Sequence, residues 1–231
     1  MMKQLLSISF FLLLSIALLA QSPSRFYDKG LAGYKNPVTG EIIVPATYQA
    51  GSDFQEGFAI VMQNNLLGYI NEQGLLVIPC RFNDAGLFVN GLAMAAIGNA
   101  YGFINTKGEW AIANKYDFAD SFSEGYACVG VNGKRGFINA QGEMVVQPTY
   151  SSARSFHEGL AAVQLNNLWG YVNTAGNLVI DCAWQTAFDF NNGEALVLKD
   201  NTHEFNINTK GKVTLEIPMR DEPEKFEEEQ H

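Results

Sequence analysis

The chain repeats itself every 34 residues. Gly68, Gly102, Gly136 and Gly170 are 34 positions apart, and each opens a near copy of the same stretch. The copies read LGYINEQGLLVI from Leu67, YGFINTKGEWAI from Tyr101, RGFINAQGEMVV from Arg135 and WGYVNTAGNLVI from Trp169. A fixed period of this length is built by stacking one small unit that cannot bury its apolar face alone. It makes the 231 residues one continuous array rather than two ordinary domains.

Each unit reads as three strands. The first follows a glycine: FAIVM at Phe58, LAMAA at Leu92, YACVG at Tyr126, LAAVQ at Leu160 and EALVL at Glu194. Most are apolar on both faces, which predicts cover on both sides. Ala59, Ala93, Ala127, Ala161 and Ala195 hold one invariant position, where a larger side chain would overpack. Tight turns follow at Asn64-Asn65, Gly98-Asn99, Asn132-Gly133 and Asn166-Asn167, residue types that tolerate positive φ. The second strand carries the motif glycine, which predicts a bulge or a close backbone approach. An Asn-x-x-Gly turn leads to the third strand, from Asn71, Asn105, Asn139, Asn173 and Asn208. Tyr48, Phe82, Tyr116, Tyr150 or Trp184 closes that strand, and Phe54, Phe88, Phe122, Phe156 or Phe190 lies in the connection to the next unit. These two aromatic columns are the expected glue between units. No segment has helical periodicity. Gln21 to Gly33 reads as irregular, part of an atypical first unit, and the last copy, from Phe205, has lost its glycine.

The ends are of another kind. Lys3 followed by the apolar run Leu5 to Leu19 reads as a secretory signal over residues 1–20, cut after Ala20. No later stretch is apolar enough to span a bilayer. Residues 220–231 form an acidic tail with the composition of a disordered segment, which leaves 21–219 as the repeat domain. Net charge is −9 with only 17% charged residues, which argues against nucleic acid and against anionic lipid. Export permits disulfides. Yet Cys80 and Cys182 fall at equivalent places three periods apart and Cys128 lies inside an apolar strand, so three unpaired thiols are expected.

The combined pattern resembles the bacterial WG-repeat (KWG) family. It runs aromatic-Gly, aromatic-Ile-Asn-x-x-Gly, an apolar strand, an aromatic, then Phe-x-Glu-Gly-x-Ala. The likeness covers Gly33 to about Ile217. Only Trp169 keeps the Trp of the motif; Leu67, Tyr101 and Arg135 replace it elsewhere. Pro45 and Pro79 fit the family's proline after the third strand, whereas Ala113 and Asp181 depart from it. The resemblance implies architecture and carries no activity.

Candidate chemistry is sparse. His157, His203 and His231 share no repeat position. His157 beside Glu158 has the composition of an acid–base or metal pair. But Glu56 and Glu124 share the place of Glu158, so the glutamate reads as part of the repeat. Asn90 and Asn192 substitute there, keeping hydrogen bonding and dropping charge, which favours a backbone-bonding role over a carboxylate rim. Trp110 and Trp184 share columns with core residues. No phosphate loop, paired-cysteine zinc spacing, nucleophile elbow or calcium loop is present. No cofactor, metal or catalytic residue is assigned, and the binding residues are left unknown. Asp53, Asp84, Asp117, Asp120 and Asp189 are the non-repeating acidic residues, whose convergence in one pocket would favour catalysis.

The expected fold is all-β: tandem three-stranded antiparallel meanders, closed as a propeller-like ring or stacked as an open β-solenoid. A ring predicts that Gln21–Gly33 pairs near the unit at Phe205–Ile217. The expected function is an exported, secreted or periplasmic binding or scaffolding module of the cell envelope, acting on a protein or glycan. A hydrolase of envelope polymers and a structural spacer are the rival expectations.

Overall fold

The computed structural model describes residues 21–200 and 203–218. The expected signal over 1–20 and the acidic tail over 220–231 lie outside them. The described chain consists of strands and turns, with no helix among the described residues. The first seven strands are β1 (Ser24–Asp28), β2 (Leu31–Lys35), β3 (Ile42–Tyr48), β4 (Ala50–Gly51), β5 (Phe58–Gln63), β6 (Leu66–Asn71) and β7 (Leu76–Phe82). The pattern of β4 to β7 then recurs four times.

Hydrogen bonds gather these strands into six antiparallel sheets, one of three strands and five of four. Each is a meander whose strands pair in sequence order. The long strands fall where the repeat puts them. The connection adds a fourth, two-residue strand at Ala50–Gly51, Asp84–Ala85, Phe118–Ala119, Ser152–Ala153 and Thr186–Ala187, along the edge of each four-stranded sheet. Residues 24–28, expected to be irregular, form β1 instead. They pair with β2 through the Lys29-Gly30 turn, where φ is +50° and +81°. That two-residue turn of positive φ specifies a hairpin whatever the polarity of SRFYD.

The motif glycine serves both expected purposes. Across β6 and β7, Leu67 opposes Phe82 but Tyr69 opposes Ile78, so the third strand bulges opposite Gly68. The same shift occurs opposite Gly33, Gly102, Gly136 and Gly170. A Cβ on Gly136 would lie 2.4 Å from the Val146 carbonyl oxygen. The last unit has Phe205 in place of the glycine, and there the pairs Glu204–Ile217, Phe205–Glu216 and Asn206–Leu215 run in unbroken register. The shift opposite the glycine is lost with it, and the register changes only beyond Asn206.

The core lies between sheets. Each junction buries an aromatic after the motif glycine (Tyr34, Tyr69, Phe103, Phe137, Tyr171) and a third-strand aliphatic (Val44, Ile78, Ile112, Val146, Ile180). The next sheet contributes its invariant alanine, Ala59 through Ala195. The small alanine leaves room for the ring. The connection phenylalanine packs at an angle against the same ring, with centroids 4.6 Å apart for Phe103–Phe122 and 4.8 Å for Phe137–Phe156. The Asn-x-x-Gly turn tucks under the preceding sheet: a Cβ on Gly108, at φ +79°, would stand 2.9 Å from Ile78. Among the described residues, six sheets thus share five buried clusters. None joins the first sheet to the last, and β1 pairs with β2 alone. The array is a propeller-like succession of blades that is unclosed.

Candidate functional site

The repeated glutamates are structural clamps. Glu56, Glu124 and Glu158 adopt φ of +51°, +51° and +52°, a region that Asn or Gly enters more cheaply. Their side chains supply the reason. Glu124 accepts hydrogen bonds from the backbone N–H groups of Glu158 and Gly159 at 2.7 and 2.8 Å. Glu56 does the same for Asn90 and Gly91, and Glu158 for Asn192 and Gly193. The backbone-bonding role stands, and the amides belong to the corresponding turn of the next unit. The second turn also behaves as read: Asn105 Oδ1 accepts from the amides of Lys107 and Glu109 at 2.9 and 3.1 Å.

Other candidates are absorbed by packing. Trp110 meets Phe82 edge-on at 5.9 Å, and Trp184 packs near Phe205 at 5.9 Å. The three cysteines are free, and burial pushes the Cys128 thiol up to about 12, with Asp120 adding to the shift and Arg135 opposing it. Asp53 pairs with Arg25 at 3.5 Å on the surface. Asp84 accepts from the Ala85 amide at 2.8 Å. Asp117 accepts from the Gly133 amide at 2.8 Å and faces Arg135 at 3.6 Å.

Two of the five aspartates do come together. Asp120 and Asp189 line one open cleft of about 550 Å³ with Ser121, Ser123, Arg154, Ser155 and His157. The edge strands and the connections that follow them build it from three consecutive sheets. Its volume is in the range of small-molecule sites. Burial raises the Asp120 carboxyl above the usual carboxylate range, against the pull of Arg135. His157 Nε2 stands 3.6 Å from Asp189 Oδ2. The Arg154 guanidinium lies over the rings of Phe188 and Trp169, at 5.1 and 5.7 Å from their centroids. Trp169, the one motif tryptophan, therefore has a ring face occupied by a cation. Burial pushes the Tyr171 hydroxyl up; Asp189 adds to the shift and Arg154 opposes it.

Among the described residues, two buried side-chain polar atoms lack a hydrogen-bond partner, Arg154 Nε and Asp189 Oδ1. Both residues line this cleft. Sequence reasoning singled out Asp120, His157 and Asp189 but missed Arg154. The available signal was a charge breaking its column, since equivalent positions hold Ser52, Gly86, Asp120 and Phe188. A second departure coincides with it. Tyr34, Tyr69 and Tyr171 donate their hydroxyls to the carbonyls of Ser52, Gly86 and Phe188 at 2.9, 2.7 and 2.7 Å. The two units with Phe103 and Phe137 instead are those whose edge residues are Asp120 and Arg154. No group of three His, Cys, Asp or Glu side chains is placed to hold a metal among the described residues.

Solved structures share the fold at low identity. A eukaryotic initiation factor is 12% identical, over 87% of this chain and 66% of that chain, with a TM-score of 0.57. The computationally designed Ika8 protein is 9% identical over 85% and 71%, at 0.52. Kluyveromyces lactis Hsv2 is 11% identical over 82% and 70%, at 0.50. At such identities the likeness shows the fold alone. No curated protein matches the sequence. The family model of the WG containing repeat matches five times in tandem, at residues 33–66, 68–99, 101–134, 136–169 and 169–202. Each matched stretch begins in or beside a second long strand and runs into the next sheet, so sequence unit and sheet are out of step and successive blades interlock. The chain belongs to the WG-containing repeat family.

Proposed function

We propose that this protein is an exported binding module that holds a protein or glycan of the cell envelope in the cleft between Asp120, Arg154 and Asp189. One observation carries the reading. The two partnerless buried polar side-chain atoms among the described residues belong to residues of that one cleft. Such atoms cost about 1–3 kcal/mol each when left unmet, and their gathering at one cleft supports a bound group or ordered water there. The N-terminal Lys3 and apolar run support export.

The test is retention of soluble envelope glycans and envelope proteins by the immobilised chain, compared with Arg154→Gln and Asp189→Asn. Loss of a retained component in both variants, with unchanged circular dichroism, supports the reading. Equal retention by all three proteins rejects it. Hydrolysis is a second reading, favoured by the meeting of Asp120 and Asp189 in one cleft. It requires soluble fragments released by the wild type and not by Asp120→Asn.

A further inference from the structure

The cleft holds a positive and a negative group that do not meet. Among the described residues, no ion pair joins Arg154 to Asp189. Arg154 is fixed against Phe188 and Trp169, and Asp189 leans toward His157. Arg154 Nε and Asp189 Oδ1 are themselves buried, so a ligand meets the rest of each group, the other guanidinium donors and the carboxylate, which make no side-chain hydrogen bond among the described residues. A guanidinium pre-set on aromatic faces loses little freedom when it takes a planar carboxylate. A dianion such as phosphate is disfavoured by the two carboxylates on the same walls, Asp120 and Asp189. A sugar stacking on Trp169 would compete with Arg154 for the ring. The unmet groups call for one ligand that brings an acceptor and a donor of opposite charge.

We infer that the cleft binds an amino-acid-type head group, with Arg154 taking its carboxylate and Asp189 its ammonium. This rests on the cleft being the binding site and names the chemistry it selects. Asp120, in the same lining, discriminates against a second negative charge, and Ser121, Ser123 and Ser155 give the cleft a polar lining. The head group can come free in solution or carried on a peptide branch.

Calorimetric titration of the full chain tests this with four probes: alanine, its halves acetate and methylamine, and inorganic phosphate. γ-Glutamyl-methylamide, whose free head group hangs from an amide bond and which carries no second carboxylate, separates the two sources. The expected result is binding of alanine or γ-glutamyl-methylamide about tenfold or more tighter than either half, and the tighter of the two names the source. Arg154→Gln and the isosteric Asp189→Asn each weaken that binding about tenfold or more while the melting temperature is kept. Acetate or phosphate binding as tightly as the zwitterion overturns the inference, as does unchanged binding in both variants. Silence from every probe also overturns it. In that case the broader reading still stands if the same variants lose a retained envelope component, and falls with it if they do not.

Discussion

A glutamate at positive φ is an expensive way to make a turn, and three of them at one repeat position need a cause. The cause is the pair of amides one unit ahead that each carboxylate holds. Glu124→Ala is expected to lower stability by about 1 kcal/mol, a few degrees in melting temperature, with Glu124→Gln between it and wild type. Asp120 gives a pH-dependent counterpart. Its folded pKa lies above the ordinary 3.8, raised by burial. Its favourable contribution is therefore present below the unfolded value and is lost as pH rises through the folded one. Thermal melts should show Asp120→Asn more stable than wild type at pH 7, with the gain gone near pH 3. Much at this scale was legible in the sequence, because Asn and Gly announce turn geometry through φ alone. The partner of each glutamate was not legible, since the amides lie 34 and 35 residues away and only packing brings them near.

The sheet is held by two features of each strand set, the bulge opposite the motif glycine and the ring that the next sheet covers. Gly136→Ala would drive a Cβ into the Val146–Pro148 backbone and is expected to cost about 3 kcal/mol or prevent folding. Gly125→Ala, at φ +84° with nothing within 4 Å, meets only the backbone penalty of about 1–2 kcal/mol. Equal losses in the two denaturant titrations would refute the close-approach account of Gly136. Phe122, 7% exposed and packed at an angle against Phe103, should cost about 3–5 kcal/mol on truncation to alanine. The long strands were readable from apolar runs of five to seven residues. The edge strands were not, because two residues carry no alternation. β1 was not either, because Ser24, Arg25 and Asp28 give it no apolar face and its pairing comes from the Lys29-Gly30 turn.

Across the molecule the repeat leaves each sheet dependent on the sheets beside it. The terminal units are polar where internal ones are apolar. The pair Ser24–Lys35 holds the place of the pair Ala59–Ile70, and Asn206 replaces the junction aromatic, Tyr171 in the unit before. Such ends suit an array that stops. Unit number and stacking were legible in the period. Closure was not, because it depends on the angle between sheets rather than on which residues fill their junctions. The cleft was half legible: Asp120, His157 and Asp189 stood out by failing to repeat, while Arg154 was masked by the variability of its column. The central claim is that blades are held by neighbours along an unclosed line. Deleting Gly68–Tyr101, one 34-residue period, joins Leu67 to Gly102 in phase and tests it directly. Thermal unfolding of the shortened chain should remain cooperative, with β circular dichroism retained and a lower melting temperature, as expected for the loss of one unit and one junction. A shortened chain that is unfolded or aggregated would contradict the claim.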